Sequence, residues 1–400
     1  LGDVYKRQIN DQTQKTLAGY VTANFGLEES GIGRFDGNIG VRVVRTKMSA
    51  RGSAASVGTI STSCDSSVVD CTNFNTALAF ATSGVSAEDT SGSSSYTDIL
   101  PSFNFRYMAS NDFQIRFAAS KSVARPSFSQ LNPYTALSFS FDSTGVANGT
   151  GVDGRTTGFT GTAGNPNLKP TKALNLDLSF EYYYGRSNSL TLGLFYKDIK
   201  DYIFSGLVQQ TYTSNSGVQQ VFDVTQQTNG SHGTIKGGEL AYTQFFDMLP
   251  GALSGLGFSG NITYVESSGG KNTAVNVFDN NQTTNAGLEL PLEGLSKWSY
   301  NVAGIYEKYG ISARIAYNWR SSYLLTTSAA NINYPVWSDS YGQLDGSFLV
   351  SVDDHFKVGV QATNLLATRT RLRVGDPSLK PIYSWTATDR RVAMVVRTVF

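Results

Sequence analysis

The chain has 400 residues with 32 Lys plus Arg against 31 Asp plus Glu, a formal net charge of +1 that gives no reason to expect an acidic polymer as partner. Only 16% of residues are charged, against about a quarter in ordinary soluble domains, while 40 Gly, 21 Tyr and 23 Phe stand out. No run approaches the roughly 18 apolar residues of a transmembrane helix, so if the chain spans a membrane it crosses with strands.

Residues 1–8 carry neither an initiator Met nor an export signal, and the chain reads as truncated. This leader resembles translated adapter sequence and is set apart from the folded region 9–400. From there, period-2 alternation recurs to the end. Strands are expected near 15–26, 34–48, 96–108, 112–121, 171–184, 189–204, 234–246, 256–267, 297–308, 311–324, 340–352, 356–367 and 389–400. In 173–183, for example, Leu174, Leu176, Leu178, Phe180 and Tyr182 alternate with Asn175, Asp177, Ser179 and Glu181. Helical periodicity is nowhere sustained.

The connections alternate between short (27–33, 109–111, 185–188, 247–255, 309–310, 353–355) and long (49–95, 122–170, 205–233, 268–296, 325–339, 368–388). Tight turns at one end and long loops at the other mark an outer-membrane barrel. Segment 218–227 has strand character, but a further crossing would break the parity, so it is assigned to an extension above the membrane. In the last strand Val392, Met394, Val396, Thr398 and Phe400 share one face, and Arg391 and Arg397 lie on the other. A one-residue slip would put both arginines in lipid at up to roughly 2–4 kcal/mol each, so the first face meets lipid. Tyr107, Tyr182, Tyr196, Tyr264, Trp298, Tyr300, Tyr317 and Trp319, near segment ends, suit aromatic girdles. The fold class is therefore all-β, an antiparallel up-and-down transmembrane β-barrel. Thirteen strands is odd, and single-chain bacterial barrels close with an even number, so N-terminal strands are expected to be missing.

Cys64 and Cys71 lie in a Ser/Thr/Asp-rich segment and read as a loop disulfide in an oxidising compartment, with two free thiols as the alternative. A metal site is set aside because His232 and His355 are both remote.

Several segments together resemble the C-terminal barrel of TonB-dependent receptors, particularly those of Caulobacter- and Xanthomonas-like bacteria. They are Ser122-Val-Ala-Arg-Pro-Ser-Phe-Ser-Gln-Leu-Asn-Pro133, Gly164-Asn-Pro-Asn-Leu-Lys-Pro170, Phe195-Tyr-Lys-Asp-Ile-Lys-Asp-Tyr-Ile203, Pro291-Leu-Glu-Gly-Leu-Ser-Lys297 and the terminal Phe400. Pro166 and Pro170 are expected to feed the chain back into the wall near Thr171, and Arg125-Pro126 to end a strand at the outer rim. The resemblance implies a 22-strand barrel of which about thirteen strands are here, with the N-terminal plug and TonB box lying outside the chain. It also implies coupling to a TonB–ExbB–ExbD complex, Phe400 as the signal read by the barrel-assembly machinery, and a bilayer with lipopolysaccharide around the wall.

The function so implied is uptake of a scarce solute without catalysis, cofactor or resident metal. The subgroup favours a carbohydrate or oligosaccharide, with a ferric siderophore as the alternative. Candidate ligand-stacking residues are Trp337, Trp385, Tyr334, Tyr383, Tyr134 and Tyr212, in polar external loops that also hold Phe139, Phe141 and Phe159. A passive porin is the less favoured reading, because the long loops carry few charges. An enzyme is disfavoured because His232 and His355 fall on opposite sides of the membrane. A β-solenoid adhesin would show a fixed repeat, and no phosphate-binding or nucleic-acid motif is present.

Overall fold

The structure, a computed structural model, describes residues 11–28, 33–60, 79–80, 83, 89–141, 156–185, 187–230, 232–271, 289–327, 335–375 and 381–398. The first strands in chain order are β1 (Asp11–Leu27), β2 (Arg34–Ile60), β3 (Asp89–Met108), β4 (Phe113–Ala124), β5 (Thr135–Phe141), β6 (Thr156–Ala163), β7 (Thr171–Tyr184) and β8 (Asn188–Lys200). There follow β9 (Ile203–Thr213), β10 (Gln219–Asn229), β11 (His232–Phe245), β12 (Leu256–Ser268), β13 (Gly270–Lys271), β14 (Glu289–Leu290), β15 (Trp298–Lys308) and β16 (Ile311–Arg320). The last are β17 (Tyr323–Thr326), β18 (Val336–Ser338), β19 (Tyr341–Ser351), β20 (Phe356–Thr363), β21 (Arg369–Val374), β22 (Ile382–Ala387) and β23 (Arg391–Thr398). One helical turn, α1 (Phe128–Leu131), follows β4.

Thirteen of these strands form one antiparallel wall in the order β1, β2, β3, β4, β7, β8, β11, β12, β15, β16, β19, β20, β23. Each wall strand pairs with the next one in sequence, as an up-and-down barrel requires. Among the described residues β1 pairs only with β2 and β23 only with β20, so the wall is an open sheet.

Directly opposed residues share a face, so the register carries one apolar face across the wall. Met394 faces Val360, Val360 faces Phe348, and Phe348 faces Ala313. Ile262 faces Leu240, Leu240 faces Leu192, Leu192 faces Phe180, and Phe180 faces Ile115. Arg391 and Arg397 lie opposite Thr363 and Lys357 on the other face. That inner face is polar. Asn104 donates to Asn38 (2.9 Å), Asn301 to Asn261 (2.8 Å) and Asn261 to Glu239 (2.7 Å), and the Arg106 guanidinium reaches Asp36 at 2.6 and 3.0 Å. From Leu174 to Tyr182 the outer face of β7 advances roughly 26 Å at ~3.3 Å per residue, about the height of the apolar band.

Short turns define one rim. At the tightest, Tyr309 (φ 55°) and Gly310 (φ 74°) are both left-handed, the geometry of a two-residue hairpin whose twist matches its strands. The opposite rim carries the six long connections, in agreement with the expected alternation.

Several boundaries differ from expectation. Segment 189–204 is not one strand. β8 stops at Lys200, Asp201 turns left-handed (φ 54°), and β9 leaves the wall. Likewise 311–324 divides into β16 and β17. β2 and β3 run past the expected limits and stay paired to Ser53–Asp89, because their inner sides are covered by loop residues rather than open water. The connections 325–339 and 368–388, read as loops, contain the end of β17 and all of β18, β21 and β22. Residues 219–227 of segment 218–227 belong to β10, outside the wall as expected. Cys64, Cys71, Tyr334, Phe400 and the leader 1–8 lie outside the described residues.

Candidate functional site

The long connections fold into two small sheets at the loop rim. In the first, the far end of β2 runs parallel to β5, β5 pairs with β6, β6 runs parallel to β10, and β10 pairs with β9. Its core is Phe80, Leu137, Phe222 and Val224. Ring centroids lie 5.5 Å apart for Phe80–Phe222, 5.1 Å for Phe159–Phe222 and 5.5 Å for Tyr212–Phe222. Phe159 and Tyr212 therefore face the loop core. Tyr212 donates to Gln210 (2.5 Å), and burial holds its hydroxyl above the usual phenol range. Tyr134 is half-buried just before β5, its backbone N–H bonded to Asn132 (3.0 Å).

The recurring motifs bracket this sheet onto the wall. Arg125 ends β4 by donating to Thr46 (3.1 Å), and Ser127 and Gln130 form a capping box around α1. Leu131 and Leu168 are buried with Met48. Asn165 donates from its backbone to the Gln130 carbonyl (2.7 Å) and from its side chain to the Gln227 carbonyl (3.1 Å). Lys169 contributes backbone bonds to Asn229 while its side chain stays exposed. β7 then begins at Thr171, as the two prolines required.

The second sheet is β17, β18, β21 and β22, over a core of Leu290, Leu324 and Trp337. The motif beginning at Pro291 supports it. Glu293 accepts from the Thr327 backbone (2.5 Å) and hydroxyl (2.9 Å), and Ser296 donates to the Ser321 carbonyl (3.1 Å). Arg373 Nε bonds both oxygens of Asp339 at 2.8 Å. The Arg320 guanidinium lies 4.5 Å from the Tyr323 ring centroid and donates to Ser338 (3.1 Å).

The two tryptophans proposed for ligand stacking thus occupy different environments. Trp337 is 9% exposed and covered by Leu290 and Leu324. Trp385 is 60% exposed on β22, with Arg369 5.2 Å from its ring centroid and Tyr383 also exposed. Below the loop sheets, the inner face of the wall holds a groove of about 560 Å³ lined by Asp36, Asn38, Arg106, Arg116, Ser179 and Glu239 among others. Arg116 pairs with Glu181 (3.3 Å), which also accepts from Gln114 (2.6 Å). The Asp339–Arg373 pair is not legible in the sequence, because it joins two different long connections, and the Arg320–Ser338 bond joins a wall strand to the loop strand β18.

An antiparallel wall, tight turns at one rim and cross-bonded long connections at the other match one known architecture. The sequence matches the TonB dependent receptor-like, beta-barrel family over residues 2–365. The chain belongs to that family. Its members are outer-membrane receptors and transporters rather than enzymes, and the wall is an outer-membrane one.

No curated protein matches the sequence significantly. Among solved structures, the chain is similar to the ferric yersiniabactin uptake receptor FyuA of Yersinia pestis, with 15% identity, a TM-score of 0.55, and 98% of this chain and 46% of that chain covered. It is similar to the ferric-catecholate import receptor Fiu of E. coli K12, with 14% identity, a TM-score of 0.54, and coverage of 96% and 45%. It is also similar to a double mutant of the ferric enterobactin receptor PfeA of Pseudomonas aeruginosa, with 15% identity, a TM-score of 0.53, and coverage of 97% and 54%. These likenesses show the fold. The chain spans about half the length of these receptors.

Proposed function

We propose that this TonB-dependent receptor barrel captures a scarce solute at its loop rim and passes it to the periplasm, driven by a TonB–ExbB–ExbD complex acting on a plug outside this region. The observation that carries the reading is the pair of loop sheets, each joining different long connections, above a polar inner groove. A passive porin instead narrows its channel with an infolded, densely charged loop. Region 9–400 is accordingly read as the C-terminal part of the barrel. The barrel-assembly machinery, reading the strand that ends at Phe400, and a surrounding bilayer with lipopolysaccharide complete the set of partners.

A ferric siderophore is the solute we favour, because FyuA, Fiu and PfeA are named for ferric siderophore or catecholate uptake. A carbohydrate is the second reading. It rests on the order of motifs resembling the Caulobacter- and Xanthomonas-type subgroup. On either reading Trp385 and Tyr383, with Arg369 beside the indole, form the best exposed stacking surface among the candidates. Trp337 is packed inside the same sheet, Tyr212 is packed in the other, and Tyr134 is half-buried just before β5 of that other sheet. Cys64 and Cys71 are proposed to close a disulfide in the first long connection.

The test is growth of a deletion strain carrying the complete receptor. Rescue on iron-limited medium supplied with ferric catecholates supports the first reading. Rescue only on malto-oligosaccharides as carbon source supports the second, and rescue by neither removes both.

A further inference from the structure

The connection between β11 and β12 is unlike the other short turns. Residues 109–111, 185–188 and 353–355 read Ala-Ser-Asn, Gly-Arg-Ser-Asn and Asp-Asp-His, the polar composition of turns in water. Residues 246–256 read Phe-Asp-Met-Leu-Pro-Gly-Ala-Leu-Ser-Gly-Leu, with Asp247 as the one charge. Pro250 and the left-handed Gly251 (φ 62°) lead into a 3-10 turn over Gly251–Gly255. Met248 is 67% exposed and Leu253 52%, and Leu249 and Leu256 are exposed beside them. Large apolar side chains grouped in this way on one small element mark a surface that is covered in its native setting.

The turn is seated on the outward side of the wall. Opposed pairs Ile262–Tyr300, Phe258–Gly304 and Leu256–Tyr306 follow one outward row down β12 and β15, and Lys308 is the next residue on that row. A Cβ on Gly255 would stand 2.6 Å from Lys308 Cβ and 3.0 Å from the Tyr306 ring, so a glycine lets the 3-10 turn close against both. Lys308 Nζ donates to the Gly251 carbonyl (2.7 Å) and to the Ser254 hydroxyl, which staples the turn to the wall and uses the cation internally. The height of the turn is set by the aromatic girdle. Tyr184 and Tyr242 both donate to Gln244 Oε1 (2.7 and 3.2 Å), and two residues on, the Phe246 N–H donates to the Leu256 carbonyl (2.9 Å), where the turn begins.

We propose that the β11–β12 turn is an interfacial foot, held in the periplasmic leaflet of phospholipid rather than in periplasmic water. Met248, Leu249 and Leu253 enter the boundary between headgroups and acyl chains, and Asp247 stays at its polar edge. Three observations select lipid as the occupant: the patch continues the lipid-facing row of β12 and β15, it starts at the girdle, and it carries a single charge. A short amphipathic element at that depth gains by burying its apolar side in the headgroup boundary. The foot rests on the outer-membrane placement with the short turns toward the periplasm. It does not depend on which solute is taken up.

The test is spin-label accessibility in the complete receptor, its native cysteines replaced by Ser, in vesicles of phosphatidylethanolamine and phosphatidylglycerol. A label on Leu253→Cys is expected to collide freely with oxygen and about fivefold less often with a water-soluble nickel chelate than a label on His355→Cys in a polar turn. Equal nickel access at the two positions overturns the foot. So does shielding at 253 that appears only when periplasmic extract is added, because the patch is then a protein-docking surface. Shielding that survives Met248→Asp with Leu249→Asp overturns it as well, since the wall alone would then supply the cover. A receptor that takes up no solute and still shields position 253 supports the foot while removing the uptake reading.

Discussion

The Asn229 side chain clamps the Lys169 backbone in both directions: the Lys169 N–H donates to Asn229 Oδ1 (2.9 Å), and Asn229 Nδ2 donates to the Lys169 carbonyl (3.0 Å). Asn229 Nδ2 also reaches the Asp201 carbonyl (2.8 Å), so one amide ties the segment before β7, the exit from β8 and the end of β10 together. Replacing it with Ala leaves these backbone groups without their partner. The expected cost to the loop layer is about 1–3 kcal/mol. Hydrogen exchange should rise at 165–170 and 201–204 while the wall strands keep their protection. Lys169→Ala, which spares the backbone bonds, should leave exchange unchanged.

Gly164 has no room for a side chain. A Cβ there would stand 2.1 Å from the Asn132 carbonyl oxygen, a backbone atom that cannot swing aside. Gly164→Ala is expected to destabilise the same layer by about 1–3 kcal/mol. Limited proteolysis should then cut within 126–170 ahead of any cut in the wall.

The two tryptophans should separate stability from binding. Trp337→Ala opens a cavity beside Leu290 and Leu324, and large-to-small changes of this kind cost about 3–5 kcal/mol. Thermal unfolding followed at the loop layer should register it. Trp385→Ala removes an exposed ring, so stability should hold while ligand affinity falls about tenfold. Unchanged affinity in Trp385→Ala would remove this residue from the binding surface.

The face assignment gives a paired test in one strand. Leu178 lies on the outer face of β7 and Asp177 on the inner face, beside the groove. Leu178→Arg places a charge in lipid at up to roughly 2–4 kcal/mol and should lower the yield of assembled barrel, measured by heat-modifiable gel mobility. Asp177→Arg should assemble normally. The reverse result would mean that the faces are exchanged.

The wall was legible in the sequence because, away from the part covered by the loop layer, a wall strand meets lipid on one side and polar lumen on the other, and the chemical contrast repeats with period 2. Leu174 to Tyr182 on β7 shows it, and the observed bounds of β7 are those expected. The loop sheets were not legible. Their pairings join distant segments, as in the parallel match of β6 with β10, and the alternation present in β5 and β10 does not name the partner strand. The motifs at 122–133 and 164–170 marked the right segments, but that Asn165 and Lys169 bond to Gln227 and Asn229 depends on where β10 lies. The candidate site divides the same way. Trp337 and Trp385 sit in similar polar loop sequence, and only the packing of Leu324 over one of them tells covered from exposed.

The central claim is energised uptake through this barrel, and its most direct measurement is accumulation of radiolabelled iron, supplied as a ferric catecholate, by cells carrying the complete receptor. Accumulation is expected to depend on the receptor and to stop when the proton-motive force is discharged. Accumulation that continues in de-energised cells would contradict the account, since it would make the barrel a passive pore.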